Sequence, residues 1–147
     1  MAGRVYLDNS KLEKPGSQVG RDVAIEVRGK EYPWVSRGGL KLDHGLNHFC
    51  IDTLGATCLD IGASTGGFTD VLLARGATSV YAVDVGHGQL DWKLRQDERV
   101  IVLEKTNARY LTSGVIPTPI SFLCCDVSFI SLMVVLPNSL ALVSEGG

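Results

Sequence analysis

One short segment limits what this chain can fold into more than any other. Leu59-Asp60-Ile61 closes an apolar run that starts at Thr57 and passes directly into Gly62-Ala63-Ser64-Thr65-Gly66-Gly67-Phe68. Glycines let a backbone turn tightly and approach a ligand, because no Cβ stands in the way. The residues that follow have helical character, so the turn places free helix N–H groups beyond the end of a strand. Such a loop serves nucleotide-like cofactors generally. A purely structural strand-to-helix turn satisfies the same pattern.

The flanking segments extend the alternation. Leu42, Leu46 and Phe49 recur at i, i+4 and i+7, which predicts an amphipathic helix over 38–50 despite Gly45. The strand over 57–61 is followed by a helix over 67–74, with Gly76 placed to end it. Strands are then expected over 79–83, 100–103 and 120–125. A short helix is expected over 89–96, and a broken, mainly helical stretch over 132–143. Strands alternating with helices predict an α/β, Rossmann-like fold with a parallel, doubly wound sheet. Residues 1–29 differ. Their short alternating segments, Arg4-Val5-Tyr6-Leu7 and Val23 to Val27, predict two or three small strands, too few to bury a core of their own. We read 1–29 as a separate module, 30–35 as a linker and 36–147 as the α/β domain.

Composition excludes several classes. The chain has 147 residues, 45% hydrophobic and 20% charged, with a formal net charge of −2. Those proportions are those of a globular protein, and the charge carries no global nucleic-acid signature. The basic residues nevertheless lean forward, eight of the 14 Lys and Arg lying in the first 41 positions. Cys50, Cys58, Cys124 and Cys125 form no C-x-x-C pair and read as buried thiols of a reducing, cytoplasmic compartment. His44 and His48 have helical i, i+4 spacing but no clustered Cys or carboxylate partner, so no metal is expected. The start lacks a signal peptide's apolar core. The stretch 120–143 is rich in apolar residues, but Asp126 and Pro137-Asn138 interrupt it, so no stable membrane association is expected.

Two further carboxylates stand where an α/β sheet would use them. Asp84 ends Tyr81-Ala82-Val83-Asp84, where an acid can accept hydrogen bonds from the ribose hydroxyls of an adenosine ligand. Asp126 ends the strand over 120–125, beside the switch in strand order where such folds bind ligands. Spacing alone leaves a nucleotide-binding dehydrogenase open. The acidic Asp60 and the pattern Gly62-x-x-x-Gly66-Gly67, in place of G-x-G-x-x-G, favour S-adenosyl-L-methionine.

Taken together, the motifs resemble the TlyA-type family of ribosomal RNA 2′-O-methyltransferases, also known under the label haemolysin A and related to the FtsJ-like enzymes. The resemblance rests on Ser36-Arg37-Gly38-Gly39-Leu40-Lys41-Leu42, Asp60 to Thr69, and Tyr81 to Gly86 with Gly88-Gln89-Leu90. Glu104 to Arg109 and Cys125 to Ser131 complete it. Gly3-Arg4-Val5 and Lys14-Pro15-Gly16 resemble the end of an S4 RNA-binding module. The resemblance implies S-adenosyl-L-methionine as cofactor and ribosomal RNA or ribosomal subunits as partner. Lys41 and Asp126 would be the first two members of a Lys-Asp-Lys-Glu catalytic set. Asp60, Gly62, Ser64, Thr65, Gly66, Gly67, Phe68, Asp84, Val85 and Asn107 would line the cofactor site. The second Lys and the Glu of that set, and part of the sheet, have no counterpart in the chain, so an incomplete sheet and reduced or absent catalysis are expected of it. The haemolysin label leaves a membrane-active function as the alternative reading.

Overall fold

A computed structural model describes residues 5–12, 14, 16–29 and 32–146, and the chain divides into two units, Met1–Pro33 and Trp34–Gly147. The first is a small antiparallel sheet of β1 (Val5–Leu7), β2 (Ser10–Lys11) and β3 (Ile25–Val27), in the order β2-β1-β3. Asp8 and Asn9 join β1 to β2 at φ 44° and 72°. Two successive left-handed residues suit the twist of a tight hairpin, and Asp and Asn tolerate that conformation. None of the unit's described residues is buried. Gly3, Arg4 and Pro15, on which part of the S4-like pattern rests, lie outside the described residues.

The second unit carries a four-stranded parallel sheet of β4 (Thr57–Ile61), β5 (Ser79–Val83), β6 (Val100–Leu103) and β7 (Phe122–Cys125), ordered β6-β5-β4-β7. The connections step outward from β4 to β6 and then return to the other side of β4. That makes β4 and β7 the switch point of an open α/β sheet. Helix α1 (Gly38–His48) precedes the sheet, and α2 (Gly67–Ala74) and α3 (Trp92–Arg95) connect its strands. A one-turn 3-10 helix (Ala108–Tyr110) and helices α4 (Leu132–Val135) and α5 (Pro137–Leu140) complete the unit.

Side chains alternate across the strands with period two. Cys58, Val80 and Ala82 face a core with Leu42, Leu46, Val71 and Leu72 of α1 and α2. Leu59, Ile61, Tyr81 and Val83 face a second core with Leu111, Ile116, Ile120 and Val135. Burial on both faces explains why these strands read as nearly continuous apolar runs.

The structure corrects the sequence reading at several points. Phe49 caps the C-terminus of α1 and is 69% exposed, because the helix ends before Phe49 can join the Leu42–Leu46 stripe. Cys50 follows in the left-handed region at φ 53° and is exposed, not buried. The helix expected over 89–96 shrinks to Trp92–Arg95, since Asp91 caps it by accepting from the Lys93 N–H. The last strand starts at Phe122. Ile120 pairs instead with the chain's final segment, donating to the Leu142 carbonyl at 3.0 Å and accepting from the Ser144 N–H at 2.8 Å. Trp34 and Val35, read as linker, pack into the second unit. Trp34 lies so close to Gly39 that a Cβ there would meet its ring carbon at 2.5 Å, and the Val35 N–H donates to Asp70 at 2.8 Å. Among the described residues no helix is long and apolar enough to cross a membrane.

Candidate active site

Every strand of the parallel sheet delivers a carboxylate at its carboxyl end: Asp60 within β4, Asp84 after β5, Glu104 after β6 and Asp126 after β7. Four like charges at one edge require donors, and the fold supplies a different set to each. Asp60 is fully buried between the sheet and α2, where its carboxylate accepts from the Thr69 hydroxyl at 2.7 Å. Burial pushes its pKa up to about 6; hydrogen bonds from Thr69 oppose the shift, and the Asp126 and Asp84 charges add to it. Asp84 is met by backbone. Its Oδ2 accepts from the Ser64 N–H at 2.8 Å and its Oδ1 from the Gly86 N–H at 2.7 Å. Glu104 is held below the usual carboxylate range, chiefly by the Gly88 N–H, with Arg95 and the Gln89 N–H adding to the effect. Asp126 binds Lys41 with both oxygens, at 3.0 and 2.9 Å from Nζ.

Two adjoining cavities open at this edge. The smaller, about 370 Å³, has apolar walls of Ile61, Val83, Val127 and Val135, with Asp84, Val85, Gln89 and Asn107 among its other lining residues. The larger, about 690 Å³, lies over α1 and the start of α2, lined by Ser36, Arg37, Lys41, Thr65, Gly67 and Phe68 among others. Gly62, Ser64, Asp126 and Ser128 border both. Both volumes suit a small molecule or one nucleotide.

The glycine loop works by close approach. Gly62 has φ 82°, and a Cβ there would meet the Asp126 carbonyl oxygen at 2.7 Å. A side chain would therefore drive apart the ends of β4 and β7, between which the cavities open. Gly66, at φ 95°, lies under Leu90 and Leu94, which occupy the space a Cβ would need.

The structure thus brings Lys41 and Asp126, 85 positions apart, into direct contact at the border of the two cavities. Gly62 and Ser64 join them there. Asp84, Val85 and Asn107 face the smaller cavity, and Thr65, Gly67 and Phe68 the larger. Two of the expected cofactor residues stand apart. Asp60 lies in the strand and turns toward α2, so it braces the loop from beneath. Gly66 is a packing position under α3. Sequence reasoning missed Gln89, Thr106, Ser128 and Ile130 as cavity walls. It also missed Phe129, fully exposed at φ 62° between two wall residues, because the strain that marks it is visible only in the folded backbone.

Comparison with known proteins agrees with this geometry. The FtsJ-like methyltransferase family matches residues 34–144. The 16S/23S rRNA (cytidine-2'-O)-methyltransferase TlyA of Mycobacterium tuberculosis is 52% identical over 137 residues, covering 92% of this chain and 51% of that protein. A solved structure from Streptococcus thermophilus, described as a hemolysin, is 45% identical with a TM-score of 0.81, covering all of this chain and 55% of that one. A solved structure from Methanococcus maripaludis, described as an S-adenosyl-L-methionine-dependent methyltransferase, shares the fold at 16% identity and a TM-score of 0.57, covering 74% of this chain and 52% of that one. The chain therefore spans about half the length of the relatives it matches. With the match running from Trp34 through the whole parallel sheet, the chain belongs to the FtsJ-like methyltransferase family.

Proposed function

We propose that the second unit holds the cofactor and part of the catalytic machinery of an S-adenosyl-L-methionine-dependent ribosomal RNA 2′-O-methyltransferase. The observation that carries this reading is the Lys41–Asp126 pair at the border of the two cavities. The residues present fit the cofactor. Two of the lone pairs on Asp84 are taken by backbone N–H groups, which leaves acceptor capacity facing the smaller cavity for ribose hydroxyls. The aliphatic walls of that cavity suit an adenine ring. When bound, S-adenosyl-L-methionine supplies a methyl group on a sulfonium, an electrophile needing no metal.

The chain's own residues do the rest. A ribose 2′-hydroxyl is a weak nucleophile. Lys41 can orient it by donating a hydrogen bond to its oxygen, and in its neutral form can take its proton. Asp126 fixes the Lys41 ammonium group with two contacts and stabilises positive charge there. Arg37 and Lys41 border the larger cavity, where phosphate contacts would position an RNA strand. Phe129 offers an exposed ring at the cavity rim, a stacking surface for an unpaired base. The first unit, read as the end of an S4-like module, would add contacts to structured RNA.

The test is methyl transfer from labelled S-adenosyl-L-methionine to ribosomal subunits. It should be run on this chain and on one extended to the length of its relatives. The extended chain should transfer the label to a ribose 2′-oxygen. Label on a base, or no label with any ribosomal substrate, would sink the assignment.

A further inference from the structure

The loop Gly86–Asp91 borders the smaller cavity through Gln89, and its backbone is tied at several residues. The Gly86 N–H donates to Asp84 at 2.7 Å, and the Gly86 carbonyl accepts from the Lys105 N–H at 2.9 Å. Glu104, whose pKa is lowered chiefly by the Gly88 N–H, pairs with Arg95, whose Nε donates to the Leu90 carbonyl at 3.1 Å. The Asp91 N–H reaches the Thr65 carbonyl at 3.1 Å, tying this loop to the glycine loop. A loop with so many ties, exposed at residues 87–89, holds one side chain in a fixed place. That side chain is Gln89. Its Oε1 accepts from the Ser64 hydroxyl at 3.3 Å, which leaves the Nε2 donors turned toward Gly86. A Cβ built on Gly86 would meet Gln89 Nε2 at 2.8 Å and Asp84 Oδ1 at 3.1 Å. Gln89 and Asp84 both line the smaller cavity, so an amide donor and a carboxylate acceptor border one space.

That pairing suits a vicinal diol, since each hydroxyl both donates and accepts. We propose that Gln89 is a second recognition side chain for the cofactor's ribose, reading its cis-diol together with Asp84, with Glu104 and Arg95 as the positioning residues that hold it. The proposal rests on the cofactor reading above and deepens it. It also gives Gly86 a reason to lack a side chain, because a Cβ there would crowd the Gln89 amide and the Asp84 carboxylate.

Calorimetry on this chain tests it, with S-adenosylhomocysteine and its 2′-deoxy and 3′-deoxy analogues as probes. The exposed position of Gln89 lets Gln89→Met keep the fold, which a thermal melt checks, and Gln89→Glu serves as a second variant that sets a carboxylate beside Asp84. Gln89→Met should weaken S-adenosylhomocysteine about tenfold, the loss of one ligand hydrogen bond. It should weaken at least one deoxy analogue far less, so that discrimination between ribose and deoxyribose narrows. Gln89→Glu should weaken S-adenosylhomocysteine at least as much, and Gly86→Ala should reproduce the narrowing. Equal losses for all three ligands would make Gln89 a loop brace, and no loss would remove it from the site; either result overturns the proposal and leaves the cofactor reading intact. Failure of the unmutated chain to bind S-adenosylhomocysteine would overturn both.

Discussion

The two ends of the four-stranded sheet are made by the same strands and closed by opposite means. At the amino end the strands begin with Thr57, Ser79, Val100 and Phe122, none of them charged. Their connections are tied by backbone, by short hydroxyls and by the Asp97–Arg99 pair just before β6. The Gly55 N–H donates to Gly76 at 2.9 Å, the Thr78 N–H to Ala56 at 2.9 Å, and the Thr78 hydroxyl to the Gly55 and Ala56 carbonyls. At the carboxyl end every strand finishes near a carboxylate, and two of the four, Asp84 and Asp126, line a cavity. The end whose hydrogen bonds close locally has a cavity too, about 630 Å³ beside Gly55 and Phe122, but Asp52 is the one charged residue among its described walls. An end that gathers charge and only partly satisfies it retains capacity for a ligand, which is why the site stands there.

The largest effect that sharpens this contrast is on chemistry. In a chain extended to the length of its relatives, Lys41→Ala should lower methyl transfer by about 10²–10⁴-fold, the usual contribution of an acid–base group. Affinity for S-adenosylhomocysteine should stay within twofold or so, because Lys41 borders the cavity away from Asp84. Single-turnover transfer and calorimetry measure the two quantities separately. A parallel fall in both would mean that Lys41 holds the cofactor.

Next come the glycines of the two ends. Gly66→Ala places a methyl group against Leu90 and Leu94 at φ 95°, and should cost about 2–4 kcal/mol from overpacking and strain together. Gly55, at φ 74°, has nothing within 4 Å of its Cβ position, so Gly55→Ala should cost only the left-handed strain, about 1–2 kcal/mol. Urea unfolding of both variants gives the difference directly. Equal costs would show that the glycine loop is no more tightly packed than an ordinary turn.

The sequence made the first half of this contrast readable. β4, β5 and β6 appear with their observed bounds because strands buried on both faces must be continuous apolar runs, and turn glycines mark where they stop. The glycine loop and the acids at 84 and 126 were legible for the same reason: residue type and strand end coincide. What stayed hidden depends on contacts distant in sequence. Nothing local tells that Asp60 turns toward Thr69, nor that Glu104 pairs with Arg95. The pairing of Ile120 with residues 142–144 shortened β7 for a similar reason, and Phe49 left its apolar stripe because the helix ended two residues early.

Asp60 also predicts a pH dependence. Its folded pKa, about 6, lies above its ordinary value of 3.8. The folded chain therefore binds this proton where the unfolded chain has released it. Stability from this group should fall as pH rises from about 4 to about 6 and then level off, by on the order of 3 kcal/mol at most. Asp60→Asn should flatten that slope. Unfolding midpoints across the window that match those of the unmutated chain would show that Asp60 does not titrate there.

The smallest effect belongs to the amino end, and it asks whether that end is as complete as its hydrogen bonds suggest. Thr53, in the turn before β4, is wholly buried, and its carbonyl accepts from the Ala56 N–H at 3.1 Å. Its hydroxyl has no hydrogen-bond partner. A hydroxyl buried in this state has lost its water and gained nothing in exchange, a cost of roughly 1–3 kcal/mol. Valine has nearly the same shape and carries no such debt. Thr53→Val should therefore leave the turn intact and be neutral or stabilising by up to about 1 kcal/mol, since the unfolded chain also loses a solvated hydroxyl. The ligand end should not respond, so affinity for S-adenosylhomocysteine should be unchanged. A loss of stability beyond about 1 kcal/mol would show that the Thr53 hydroxyl is satisfied after all, by an ordered water buried at this end. The amino end would then hold a solvent-dependent contact, and its contrast with the carboxyl end would be one of charge alone.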